Sequence, residues 1–273
     1  MTVRVRGLGE IADRFDVALV DQFGVLHNGQ TPYPEACNAL LQLRDSGLRV
    51  VLLSNSGKRA DANAERLARF GFGPECFDFL VTSGEVAHAM IADRRAGVER
   101  GARCLVIARG GGGEAALDGL GLRFTTNASE AELVVIAGAE TERIPLDDYA
   151  AMLRPAAERG VRALCTNPDR HMLTETGIRP GAGAIAERYA TMGGEVTWIG
   201  KPYAAIYEHV ARTLGNVEWP RTMAVGDSRE HDIAGVQAMG GRGILVETGV
   251  ANADEGTAGR GSEPDFVIDT MRF

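Results

Sequence analysis

The chain has 273 residues, 45% of them hydrophobic and 24% charged, enough apolar content for one large or two modest globular domains. Its formal net charge is −8 and no run of Lys and Arg is long enough to neutralise several phosphates, so duplex nucleic acid is excluded as the expected partner while small anions are not. The four cysteines, Cys37, Cys76, Cys104 and Cys165, form no C-x-x-C pair, which signals neither zinc nor a disulfide framework; with no apolar run of membrane-spanning length, a cytoplasmic protein with no membrane partner is expected.

In chain order, Asp16–Asp21 (DVALVD) reads as a buried strand that ends on an acid. Residues 34–46 follow as an amphipathic helix, with Ala36, Ala39, Leu40 and Leu43 on one face and Gly47 as its stop. Arg49–Ser54 is a second strand, 60–70 a second helix and Phe79–Ser83 a third strand. Strands near Cys104–Ala108, Leu133–Gly138 and Val161–Cys165, each with a helical pattern nearby, make a separate series in the middle of the chain. A helix over 203–214 and strands at Thr222–Asp227 and Gly243–Thr248 complete the pattern. Such alternation predicts an α/β fold of βαβ units, a Rossmann-like parallel-sheet core domain built from residues 1–83 and 181–273 with an αβ domain, 84–180, inserted into it.

In an open parallel sheet the ligand site lies outside the carboxyl ends of the strands. The residues that end strands here are Asp21, Ser54 with Asn55, and Asp227. Each alone is also what a helix cap or an Asx turn uses. Together they say more, because Asp232 follows Asp227 by five residues, near the first turn of a helix running through Ile233 and Val236. Three carboxylates from two strands and a helix start make a hard oxygen site suited to Mg²⁺. Lys201, set between Gly200 and Pro202 ahead of the helix at 203–214, presents an ammonium where a phosphate oxygen is well held.

The order of Asp21, Ser54-Asn55, Gly200-Lys201-Pro202 and Gly226-Asp227 with Asp232 resembles the four motifs of the haloacid dehalogenase superfamily of phosphohydrolases. The position of the insert, with Thr166-Asn167-Pro168-Asp169 and the stretch 180–185, is similar to the class IIA branch and its C2-type cap domain. That resemblance covers essentially the whole chain. It implies Asp21 as a nucleophile that forms an aspartyl phosphate, and Mg²⁺ held by Asp21, the backbone carbonyl of Phe23, Asp227 and Asp232, the last as direct ligand or outer support. It further implies phosphate held by Ser54, Asn55 and Lys201, with Asn167, Asp169 and Arg170 of the cap facing a small phosphorylated metabolite, a sugar phosphate or nucleotide-like compound. A homodimer is compatible with it.

One residue departs from the family pattern. The usual Asp-x-Asp-Gly carries a second acid that protonates the leaving group and activates water, and here that position is Phe23. Loss of a positioned acid/base costs about 10²–10⁴-fold in rate. His27 and His171 are the candidates for a substitute, being of the right chemical type near neutral pH. The alternative function is a phospho-ligand binding or regulatory protein with weak turnover; a receiver-like phosphoacceptor domain fits the length and the insert poorly. The G-x-G-x-x-A at 110–115 has the spacing of a dinucleotide fingerprint but lacks an acid closing the next strand, so it is read as a βα loop.

Overall fold

The structure is a computed structural model, and it describes residues 2–110, 112–174, 177–249 and 262–273. The chain begins with a two-residue strand β1 (Val3–Arg4), two short 3₁₀ turns and strand β2 (Val17–Val20). Helix α1 (Ala36–Asp45), β3 (Arg49–Ser54), α2 (Ala60–Arg69) and β4 (Phe79–Thr82) follow. Next come α3 (Ser83–Ala92), β5 (Arg103–Ile107), β6 (Arg123–Phe124), β7 (Leu133–Ile136), α4 (Leu146–Ala157) and β8 (Arg162–Cys165). A hairpin, β9 (His171–Thr174) and β10 (Gly177–Pro180), leads to α5 (Ala182–Thr191) and β11 (Glu195–Trp198). The chain closes with α6 (Ala204–Leu214), β12 (Thr222–Gly226), α7 (Ala234–Ala238), β13 (Arg242–Val246) and β14 (Phe266–Ile268).

These elements form two compact units. The first comprises residues 1–54, 61–81 and 201–273, the second 55–60 and 82–200. The sequence places 181–200 in the core, whereas the structure puts this stretch in the inserted unit. The reason is strand pairing: β11 runs parallel to β8, Val196 opposite Ala163, and the buried Ile185, Ala186 and Tyr189 face of α5 fills the same apolar cluster as Leu153 and Ala163.

The first unit holds a seven-stranded sheet in the order β1-β14-β13-β12-β2-β3-β4. Strand β2 is parallel to both of its neighbours, Val20 standing opposite Leu52 on one side and Val225 on the other. Every residue of β2 and β12 is buried, as expected of strands covered on both faces. Ala18, Val20, Val50, Leu52 and Val225 share one face and pack with Ala36, Ala39, Leu40 and Leu43 of α1, the four residues that the helical periodicity singles out. From β2 the chain builds outward through β3 and β4, then returns to the other side of β2 and builds outward again through β12, β13 and β14. The strand order therefore reverses between β2 and β12, and their carboxyl ends open on the crevice where such sheets take ligands.

The second unit is a five-stranded sheet, β11-β8-β7-β5-β6, whose pairs are parallel, with α4 and α5 packed over a core around Leu105, Ile136, Tyr149, Leu153 and Tyr189. The β9–β10 hairpin is antiparallel and forms its own two-stranded sheet. All four cysteines are free thiols. Among the described residues no helix is long and apolar enough to cross a membrane.

Candidate active site

Asp21 leaves β2 one residue beyond its last ladder position, and its N–H still donates to Val225 O at 2.9 Å. Asp227 leaves β12 in the same way, one residue past Gly226. With Val20 opposite Val225, the two acids leave adjacent parallel strands one residue out of step at the switch point. Asp232 arrives from a π turn over Arg229–Ile233 that runs into α7. Although a cap role suits Asp232 on sequence grounds, the cap is Ser228, whose Oγ accepts from His231 N–H at 3.2 Å. Asp232 is left to turn inward, where its Oδ2 accepts from Ser228 N–H at 3.1 Å. One oxygen from each of Asp21, Asp227 and Asp232 lies within 4.8 Å of the others.

Lys201 joins this cluster from the turn ahead of α6. Its Nζ donates to Asp21 Oδ1 at 2.6 Å and to Asp232 Oδ1 at 2.7 Å, and its side chain is only 5% exposed. Gly200 adopts φ +106°, and a Cβ there would press on Ser83 Oγ and Asn55 Oδ1, so the residue before Lys201 has to be glycine. Burial lifts the Asp21 carboxyl to about 6; the Lys201 ammonium pulls it down and the Asp232 charge pushes it up. For Lys201 burial works against the charged form, but Asp21 and Asp232 outweigh it and hold the ammonium above its ordinary range.

Three carboxylates and one ammonium give the buried cluster a net charge of −2 when all are ionised, a sign that a bound cation would balance. The donor set is all oxygen, the chemistry that Mg²⁺ and Ca²⁺ take. Two glycines approach Asp227 closely: a Cβ at either Gly24 or Gly249 would overlap its carboxylate, and Gly24 has φ +83° besides. The backbone of the loop is fastened over the same acid, Thr248 Oγ1 donating to Gly24 O at 2.7 Å and Tyr33 Oη to Thr248 O at 3.2 Å. The residues fit a divalent cation.

The other expected site residues separate into the two units. Ser54 ends β3, the strand next to β2, in the first unit. Asn55, Asn167, Asp169, Arg170 and His171 belong to the second. There Asn55 Nδ2 donates to Asp169 Oδ1 at 2.9 Å, Asp169 N–H donates to Asn167 Oδ1 at 3.0 Å, and Arg170 pairs with Glu187 at 2.5 Å. His171 opens β9 and is exposed.

His27 is placed poorly for a proton donor. Its ring is 2% exposed, lies 4.8 Å from Phe70, and its Nδ1 accepts from Gly29 N–H at 3.0 Å. Burial and the nearby Arg66 charge bring it down to about 4, so it stays neutral at pH 7. Phe23, in contrast, is 46% exposed. Two features of the site carried no sequence signal. Tyr207 of α6 is wholly buried beside the cluster, its hydroxyl without a hydrogen-bond partner among the described residues and raised above its ordinary range by burial. Gly249 was invisible because it meets Asp227 only in space; Gly24, three residues past Asp21, stands in the Asp-x-x-Gly that would have found it.

Comparison with known proteins decides the family. A family model described as haloacid dehalogenase-like hydrolase matches residues 18–123, and a second, HAD-hydrolase-like, matches 198–272. Human chronophin is 30% identical over 269 residues, covering 93% of this chain and 89% of that protein. The chain belongs to the haloacid dehalogenase-like hydrolases. Within them it falls in the class IIA phosphatase branch. A Brucella suis haloacid dehalogenase-like hydrolase has the same fold, with a TM-score of 0.83 at 28% identity over 98% of this chain and 99% of its own. The Mycobacterium tuberculosis glycerol phosphate phosphatase, solved in complex with magnesium, matches with a TM-score of 0.70 at 26% identity over 96% of this chain and 76% of its own.

Proposed function

We propose that this protein is a Mg²⁺-dependent phosphohydrolase of a small phosphorylated metabolite, a sugar phosphate or nucleotide-like compound, with Asp21 as the nucleophile. The observation that carries the reading is the meeting of Asp21, Asp227 and Asp232 within 4.8 Å around a buried Lys201, at the switch point of the sheet. In this reading Asp21 attacks phosphorus and holds the phosphoryl group as an acyl phosphate until water removes it. Lys201 keeps Asp21 aimed and ionised, and its positive charge lies where negative charge spreads over the phosphoryl oxygens in the transition state. Ser54 and Asn55 donate to the other oxygens. Asp227 and Asp232 hold Mg²⁺ with Asp21 and the carbonyl of Phe23; the ion supplies the positive charge that lets a carboxylate approach a phosphate dianion. The inserted unit carries substrate choice, with Asn167, Asp169 and Arg170 as the residues to vary.

Phe23 favours a second reading, in which the phosphate cradle is kept for binding and turnover is weak. A screen of sugar phosphates, nucleotides, pyridoxal phosphate and p-nitrophenyl phosphate, with and without Mg²⁺, separates the two. Multiple turnovers that stop on chelation support the hydrolase. Saturable binding with no phosphate released supports the second reading instead.

A further inference from the structure

From Asp21 to Gly29 the chain has one titratable side chain besides Asp21, His27. His27 faces inward, packed on Phe70 at 4.8 Å with Nδ1 taken by Gly29 N–H. Two residues past Asp21 this segment presents to solvent the ring of Phe23, set edge-on to His27 at 6.1 Å and over Gly29, where a Cβ would come within 3.2 Å of Cε2. The polar groups gathered at Asp21 are committed elsewhere: Lys201 spans Asp21 and Asp232, and the Tyr207 side chain is fully enclosed. The segment that carries the nucleophile therefore offers, two residues past it, an exposed apolar ring and no proton donor of its own.

Resting on the reading of Asp21 as nucleophile, we propose that Phe23 sets the substrate class: the enzyme takes phosphate from donors whose leaving group departs without a proton, and holds it as a long-lived aspartyl phosphate. Such donors are acyl phosphates, phosphoanhydrides and aryl phosphates. In the first step the bond from phosphorus to the leaving oxygen breaks, its electron pair going to that oxygen, as a bond forms to an Asp21 oxygen. With Phe23 and no acid on the segment that carries Asp21, the leaving group departs as an oxyanion and takes its proton from bulk water. That is tolerable for a carboxylate or a phenolate, whose conjugate acids have pKa about 4 and about 10. It is costly for an alkoxide, which resembles hydroxide, the conjugate base of water at about 15.7. In the second step water bonds to phosphorus, the electron pair of the bond to Asp21 returns to the carboxylate, and a proton of the water passes to solvent. The segment beside Asp21 supplies no base to assist it, so this step is slow and the phosphorylated chain accumulates.

The test is a leaving-group series with the whole chain and Mg²⁺: acetyl phosphate, p-nitrophenyl phosphate, phenyl phosphate and glycerol phosphate. In parallel, rapid-quench measurement compares p-nitrophenol release with phosphate release, and peptide mass mapping locates the trapped phosphate. We expect kcat/KM to fall by about 10²–10⁴-fold from the activated donors to the alkyl ester, the range of an absent acid. A burst of about one p-nitrophenol per chain should precede slow phosphate release, with the phosphate on the Asp21 peptide. Phe23→Asp, at an exposed position, should raise alkyl ester hydrolysis by at least about tenfold and remove the burst. Equal kcat/KM across the series with no burst in the parent overturns the inference while leaving the phosphohydrolase reading intact. Failure of parent and Phe23→Asp alike to release phosphate from every donor overturns both.

Discussion

Lys201→Met removes the ammonium and keeps most of the apolar stem, so its consequence follows from the charges it abandons. Nζ makes two charge-assisted hydrogen bonds, at 2.6 and 2.7 Å, to carboxylates that are 14% and 4% exposed. At about 1.5–3 kcal/mol for each bond to a charged group, the loss is about 3–6 kcal/mol. Truncation of one partner in a buried ion pair costs about 3–5 kcal/mol by an independent route, so about 3–5 is the expected destabilisation at pH 8 in chelator. It should shrink at pH 5.5, because Asp21 already protonates near pH 6 and relieves the repulsion by taking up a proton. Urea unfolding in a Trp198→Phe background isolates the fluorescence of Trp219, which meets Tyr207 edge to face at 6.2 Å in the first unit. A destabilisation below about 1 kcal/mol at pH 8, the level of an exposed pair, would refute the argument that this cluster is buried and short of positive charge.

Gly24→Ala combines a Cβ at φ +83° with overlap on the Asp227 carboxylate, so Mg²⁺ affinity by calorimetry should fall along with about 1–2 kcal/mol of stability; parent-like Mg²⁺ binding would show that Asp227 does not hold the ion. In chelator, Asp21 is raised from 3.8 to about 6 in the fold, so the native state binds its proton more tightly and this group's contribution is lost as pH rises from about 4 through 6. His27 is depressed from 6.5 to about 4, so its contribution is lost as pH falls over nearly the same window. The two offset, and the readout is the difference from parent: Asp21→Asn should gain on the parent as pH rises from 4 to 6.5, and His27→Gln should gain on it as pH falls. Differences that stay flat with pH would contradict the burial of either group.

The strands that end on Asp21, Ser54 and Asp227 were legible because buried parallel strands are continuous apolar runs with a polar residue at the stop. From there the rule for open sheets brings Asp21 and Asp227 together without any coordinates. The face of α1 was legible for the same reason, a helical period with large contrast. Strand β11, EVTW, has half-buried positions and little contrast, and what assigns it to the inserted unit is its pairing with β8, thirty-odd residues away. That is why the boundary expected at 180 lies at 200. The inward turn of His27 was hidden for a related cause, since it depends on Phe70 arriving from the end of α2. Local pattern reports what a residue prefers, and these positions are decided by what a distant segment brings.

The central claim is that Asp21 is the atom-bearing nucleophile and not merely one carboxylate of a metal cluster. Phosphate release from the best donor of the screen, in saturating Mg²⁺, compares the parent with Asp21→Asn, an amide of the same size that does not attack phosphorus. The expected result is release at background level by Asp21→Asn in a chain that still folds; release at the parent's rate would contradict the assignment.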